Sequence, residues 1–449
     1  MLAKKALLIS TYEMGRQPFG LASPAAFLSA AGWDVVCADV AKEKLPDAAI
    51  ASADLVGFHL PMHTATRLAA PVVSRVRRAN PSARICAYGL YAPLNANWLR
   101  SLGVEAIFGG EFEADLTNWA DNAPAGSSER PVEARVPRVH FLVPDRRGLP
   151  PLSRYATLQL PNGERRTVAY TEATRGCKHL CRHCPVVPVY NGQFRIVPSD
   201  IVLADIEAQV AAGARHVTFG DPDFLNGPTH ALRVVDALHA AHPEITYDVT
   251  IKVEHLLKHR DVLPRLVDTG CLFVTSAVES IDDRVLAILD KGHTRRDFAA
   301  ATELCRTVGL TLVPTFVAFH PWLTLDGYCD LLDTLDALGL IDHVAPIQLA
   351  IRLLVPEGSR LLTTPEMAPF IGGFDEKTLT YRWTHPDARV DALQREVGAI
   401  VGARLNAGRA DVFAEISKLA HDRAGQPIAD SRPARDRATV PYLNEPWYC

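Results

Sequence analysis

The sequence has no apolar run near the roughly 20 residues that a membrane-spanning helix needs, so no spanning segment is expected. It also lacks an excess of either charge. Its 47 basic and 51 acidic residues leave a net charge of -4, which supplies no broad basic field for nucleic acid or an anionic membrane. Nine cysteines, an odd number at irregular spacing in 449 residues, do not make a disulfide framework and fit the reduced thiols of a cytosol. At the start, Met1-Leu-Ala-Lys-Lys precedes a short apolar run, Ala6–Ile9, with no small-residue cleavage site after it. The expected location is cytoplasmic.

What is present is a long alternation of strand and helix patterns. Apolar runs at Ala6–Ile9, Val35–Val40, Leu55–Leu60, Arg84–Tyr88 and Ala106–Phe108 are separated by helical stretches, which predicts an α/β, doubly wound (Rossmann-like) domain over residues 1–125. A polar, Pro-containing stretch reads as a linker over 126–165. Strands are then expected at Thr167–Thr171, His216–Phe219, Tyr247–Ile251, Leu272–Ala277, Leu310–Ala318 and Pro346–Leu353. Six β/α units in succession predict a partial (β/α)6 TIM barrel over 166–362 with its chemistry at the C-terminal rim. Past Leu362 only helical spacing remains, giving a small helical cap over 363–425. A tail over 426–449 ends in an apolar, aromatic segment that is expected to dock.

The chemistry concentrates in Gly176-Cys-Lys-His-Leu-Cys-Arg-His-Cys184, where Cys177, Cys181 and Cys184 follow the first barrel strand at Cys-x3-Cys-x2-Cys spacing. Chance places such a trio in about one chain in a few hundred of this cysteine content. Three thiolates can hold three irons of a [4Fe–4S] cube and leave the fourth iron open to chelate a small molecule. The alternatives are an oxidisable thiol cluster and a zinc site recruiting His179 or His183. Structural zinc usually takes four ligands as two separated pairs, and no second Cys-x2-Cys occurs here.

The motif, its place after a strand and the β/α units that follow resemble the radical S-adenosylmethionine (SAM) superfamily over about Thr167 to Pro356. The resemblance implies a [4Fe–4S] cluster whose open iron binds SAM, and reductive cleavage of SAM to a 5′-deoxyadenosyl radical. It implies that His183 packs near the adenine. Gly220 and Asp221, within Phe219-Gly-Asp-Pro-Asp223, stand where the family contacts the SAM amino group. Glu279 and Ser280 stand where it contacts the ribose and carboxylate. Lys252 and Glu254 after the third strand and Arg352 after the sixth are rim positions that meet SAM or substrate, or are simply solvated strand ends.

The N-terminal region, through Gln17–Val35, Ala53-Asp-Leu-Val-Gly57 and Phe108-Gly-Gly-Glu-Phe-Glu113, is similar to the cobalamin-binding domain ahead of many radical SAM barrels. It has no Asp-x-His-x-x-Gly cobalt-ligand motif. Tyr88-Gly-Leu-Tyr91 places bulk where the corrin would lie, so a vestigial domain is the alternative to a cobalamin site. The ending Glu445-Pro-Trp-Tyr-Cys449 resembles radical SAM proteins with Cys-Cys-Ala-Glu-Pro or Cys-selenocysteine-Ala-Glu-Pro tails, which makes Cys449 a candidate catalytic thiol. The implied function is modification of a small molecule or peptide by methyl transfer, SAM-fragment transfer or rearrangement, with electrons from a reductase or flavodoxin-type donor. A non-catalytic sensor that keeps the cluster, or a zinc-binding protein, is the alternative. Methylthiotransferases of tRNA carry a second cysteine trio in the N-terminal domain, and here only Cys37 and Cys86 occur there, so a nucleic-acid substrate is not expected.

Overall fold

A computed structural model describes residues 4–122, 132–405, 407–427 and 440–444. The N-terminal sheet contains β1 (Lys5–Ser10), β2 (Asp34–Asp39), β3 (Leu55–His59), β4 (Arg84–Tyr88), β5 (Ala106–Gly110) and β6 (Val132–Arg135). All six are parallel, in the order β2-β1-β3-β4-β5-β6. The central strands are buried on both faces, which is why they read as nearly continuous apolar runs rather than as alternating ones. The strand order reverses between β1 and β3, and that crevice at the carboxyl ends is where such sheets bind ligands. Within the segment expected to be a linker, β6 pairs with β5 and extends the sheet. Phe141 and Leu152 from the same segment enter the barrel core. Its polar composition concealed these anchors.

The second sheet contains β7 (Thr157–Gln159), β8 (Arg165–Thr171), β11 (His216–Phe219), β12 (Thr246–Thr250), β13 (Cys271–Glu279) and β14 (Thr311–Phe316). Between β8 and β11 lies a small antiparallel pair, β9 (Thr174–Gly176) and β10 (Phe194–Ile196). Strands β8, β11, β12, β13 and β14 run parallel as a curled half-barrel backed by helices. The sixth strand expected over Pro346–Leu353 is reduced to one parallel bridge, Phe319↔Arg352. Pro346 opens a 3₁₀ turn through Leu349 and has no N–H to offer a ladder.

One further difference concerns the C-terminal part. An antiparallel hairpin, β15 (Ile371–Asp375) and β16 (Thr380–Trp383), forms where only helices were expected. The helices Ala388–Ala403 and Arg409–Ala424 form the expected helical cap, which packs Val390, Leu393, Val397, Val412 and Ile416 into the main barrel core. Of the tail, β17 (Tyr442–Leu443) pairs antiparallel with β7. No helix among the described residues is long and apolar enough to cross a membrane.

Candidate functional site

The cysteine loop is built by the ends of two barrel strands. Gly176, at φ 76°, turns the chain into the loop, and a Cβ there would lie 2.3 Å from the Tyr190 ring and 2.6 Å from the Gln193 carbonyl, so glycine is required. Asp221, just past β11, accepts from the Ala173 amide at 3.0 Å and the Thr174 hydroxyl at 2.6 Å. Asn226 Nδ2 donates to the Gly176 carbonyl at 3.4 Å, and Lys178 Nζ donates to the Asn226 carbonyl at 3.0 Å. On the far side Arg182 donates its amide to the Leu289 carbonyl at 2.9 Å and its guanidinium to Ile288 at 3.0 Å. Protein contacts therefore anchor the loop on both sides. Burial pushes the Cys184 thiol up to about 12 and also raises Cys177, so a thiolate at either position is favoured by a bound cation.

Beside the loop is a compact group of charges. Glu279 ends β13 with φ 71°, a left-handed conformation that costs a non-glycine residue about 1–2 kcal/mol. Its carboxylate lies 3.2 Å from His183 Nε2 and 3.5 Å from Lys291 Nζ. Although burial opposes ionisation, Lys291 and His183 hold Glu279 down at about 2. Lys252 is buried 3.6 Å from Glu254. Gly292 allows the close approach, since a Cβ there would sit 2.8 Å from the Glu254 carboxylate. His293 is buried with neither ring nitrogen hydrogen-bonded, and burial followed by the Lys291 and Lys252 charges pushes it down to about 4. Orphaned polar atoms amid fixed charges of both signs fit a zwitterionic ligand.

The residues expected to contact SAM divide on this geometry. His183, Lys252, Glu279 and Ser280 are on the rim near the loop, although the Ser280 hydroxyl also accepts from the Asp282 amide at 3.1 Å. Asp221 is engaged in positioning the cysteine loop, and burial raises it to about 6 against the bonds from Thr174 and Ala173. Gly220 serves Tyr170, whose hydroxyl would be 1.8 Å from a Cβ. Gly220→Ala is accordingly expected to cost about 1–3 kcal/mol by overpacking a buried ring, measured as a lower urea midpoint. Arg352 is turned to the C-terminal elements. It bonds Asp391 at 2.5 Å and the Trp383 carbonyl at 2.9 Å, and stacks 3.5 Å from the Trp383 ring, a partner on a hairpin that the sequence pattern did not reveal. Cys449 lies outside the described residues. Lys291 and His293 were not anticipated; their only signal was Lys-Gly-His after a helix.

The two domains meet across a buried ion cluster. Arg175, on β9, reaches Glu113 at 2.6 Å, Glu172 at 2.9 Å and Glu111 at 3.3 Å, and the two N-terminal-domain glutamates are fully buried. Glu113 accepts from the Ser23 hydroxyl at 2.7 Å, and Glu111 from the Tyr190 hydroxyl at 3.1 Å. A cavity of about 1300 Å³ runs between the domains and down the barrel interior. Glu13, Phe19, His59 and Leu90 line it from one side, and Tyr170, Arg175, Gly176 and Asp221 from the other. His59 ends β3 at the switch point, packs its ring against Gly20, stacks on Tyr88 and faces Glu13 at 3.3 Å. Of the bulk expected from Tyr88-Gly-Leu-Tyr91, only Leu90 reaches the cavity wall. Tyr88 is buried beneath His59 and against Phe112, and Tyr91 packs into the sheet core, leaving Gly89 and Leu90 on the wall.

Glu172 gives this junction a pH signature. Burial, opposed by Arg175 and reinforced by Asp221, raises it from 4.5 to about 8. An acid whose pKa rises on folding contributes stability that is complete below about 4.5 and is lost as pH climbs through about 8. Thermal unfolding of Glu172→Gln from pH 5 to 8.5 should show a flatter decline than the parent.

The fold and this rim loop define the class: an α/β barrel domain with an open three-cysteine site, docked against a doubly wound domain. Residues 171–335, within the barrel, match the radical SAM superfamily. The chain is 26% identical over 187 residues to tRNA-2-methylthio-N(6)-dimethylallyladenosine synthase of Methylococcus capsulatus, covering 38% of this chain and 40% of that one. It spans about two fifths of the length of such curated relatives. Among solved structures, the cobalamin-dependent SAM radical enzyme OxsB with aqua-cobalamin superposes with a TM-score of 0.71 at 13% identity, over 94% of this chain and 72% of that one. The radical SAM methyltransferase TsrM from Kitasatospora setae, with cobalamin and a [4Fe-4S] cluster bound, superposes at 0.59 and 16% identity, over 75% and 71%.

Proposed function

We propose that this chain is a radical SAM enzyme in which Cys177, Cys181 and Cys184 hold a [4Fe–4S] cluster, the rim charges hold SAM, and the interdomain cavity holds cobalamin and a small-molecule substrate for methyl transfer. The observation that carries this reading is the place of the cysteine loop. It lies at the seam of the two domains, with Gly176 and Val186 on either side of it in the cavity wall. A volume of about 1300 Å³ exceeds the roughly 300–1,000 Å³ of a single small-molecule site. When bound, the cluster supplies the electron that cleaves SAM, and the corrin a methyl carrier.

The chain's own residues bind and orient. Ionised Glu279 presents a fixed negative charge to an ammonium or ribose hydroxyl, and Lys252 and Lys291 present cations to a carboxylate. The Arg175 cluster holds the two walls of the cavity together. As support for a small molecule over a nucleic acid, Cys37 and Cys86 are buried core thiols, so this N-terminal domain offers no second cluster site through them.

Anaerobic reconstitution tests the reading. Brown protein given SAM and dithionite should release 5′-deoxyadenosine or S-adenosylhomocysteine, and should retain about one hydroxocobalamin per chain through gel filtration. SAM recovered intact from a protein with a full iron complement would overturn the enzymatic reading, and failure to retain cobalamin would overturn that part of it.

A further inference from the structure

Next to the cysteine loop, three side chains converge that the radical SAM reading leaves unused. His179 lies between Cys177 and Cys181, Asp223 follows β11, and His255 is on the helix Val253–Lys258. Asp223 Oδ2 is 2.7 Å from His255 Nδ1 and 3.4 Å from His179 Nε2, and the three atoms all lie within 4.8 Å of one another. The two imidazole rings are T-shaped, with centroids 4.7 Å apart.

All three atoms are shielded from solvent, and none makes a hydrogen bond of acceptable geometry. Asp223 and His255 are 0% and 1% exposed. Leaving even one such group unsatisfied costs about 1–3 kcal/mol. The other Asp223 oxygen accepts from the Leu225 amide at 3.3 Å, which fixes the carboxylate with Oδ2 toward the imidazoles. On the opposite side of the His179 ring, Nδ1 lies 3.6 Å from Glu254 Oε2. A carboxylate behind the imidazole is the arrangement that orients metal-bound histidines. One cation between the three atoms would satisfy them all, in place of two imidazole N–H groups crowding one carboxylate oxygen without acceptable hydrogen-bond geometry.

We propose that His179, Asp223 and His255 bind one divalent metal ion of the zinc class, separate from the cysteine site. Two imidazole nitrogens and one carboxylate oxygen are the donor set of three-ligand zinc and non-haem iron sites, and are poor in oxygen for magnesium or calcium. The ion would tie the middle of the Cys177–Cys181 loop to the end of β11 and to the helix after β12. It would fix the loop from the side opposite the Arg182 contacts.

The test removes the competing thiols. Full-length chain carrying Cys177→Ala, Cys181→Ala and Cys184→Ala is stripped with chelator and titrated with Co(II), followed by d–d absorption and metal analysis, with Zn(II) as competitor. The expected result is one Co(II) per chain, displaced by Zn(II), with binding at least about 100-fold weaker after Asp223→Asn or His179→Gln on that background. His179→Gln, on the loop, is the safeguard should the buried Asp223→Asn fail to fold, and circular dichroism monitors both. No Co(II) bound by the folded parent, or binding that neither substitution changes, would overturn the proposal. Because no cluster is present, failure here is independent of whether the chain cleaves SAM.

Discussion

Replacing Cys177, Cys181 or Cys184 singly with alanine should reduce 5′-deoxyadenosine release to background, at least about 1,000-fold, while leaving the protein folded. Two thiolates cannot hold a cube that needs three, so the loss falls on the cluster itself. The fold should survive because protein contacts anchor the loop on both sides, by Asp221 on Ala173 and Thr174, by Asn226 on Gly176, and by Arg182 on Ile288 and Leu289. Iron analysis and chromatography of SAM products check the two halves together. A single variant that keeps parental turnover would remove that cysteine from the ligand set.

Arg175→Leu should destabilise the protein by about 3–5 kcal/mol, because it strands the buried carboxylates of Glu111 and Glu113 without a counter-charge. The effect should exceed that of any exposed ion pair in the chain, such as Arg306–Glu303, where about 0–1 kcal/mol is expected. Because Glu111 and Glu113 come from the N-terminal domain and Arg175 from the barrel, urea unfolding should also lose cooperativity between the domains. A midpoint within error of the parent would show that the cluster does not couple them. Only Gly176 separates Arg175 from Cys177, so cobalamin retention and SAM cleavage should fall together in the same variant.

Much of the α/β alternation was legible because strands buried on both faces must be apolar throughout, and helices between them must have one apolar side. Arg84–Tyr88 and His216–Phe219 coincide with their sequence-predicted limits for that reason. Where the sequence was misleading, the partner was distant. The strand at Val132–Arg135 has no apolar run and exists because β5 offers it an edge, and the expected sixth barrel strand yields to a 3₁₀ turn at Pro346. The hairpin Ile371–Trp383 is short and half-exposed, so its pattern could not be separated from a loop.

The site shows the same division. Cys177, Cys181 and Cys184 stood out as candidates because three thiols on one loop at fixed spacing form a short-range pattern. Glu279 with Lys291 and His183, Arg175 with Glu111 and Glu113, and His179 with Asp223 and His255 join residues up to 96 positions apart. No local spacing encodes such groups. The sequence alone determined the barrel class and singled out the three thiols as candidates, since both follow from periodicity and short-range spacing. Only the tertiary structure decided that Asp221 steadies the loop, that Arg352 faces the C-terminal hairpin, and that Tyr88 lies under His59 and leaves the interdomain cavity open. Those outcomes depend on which buried charge or ring finds its partner across the fold, and that is settled by packing.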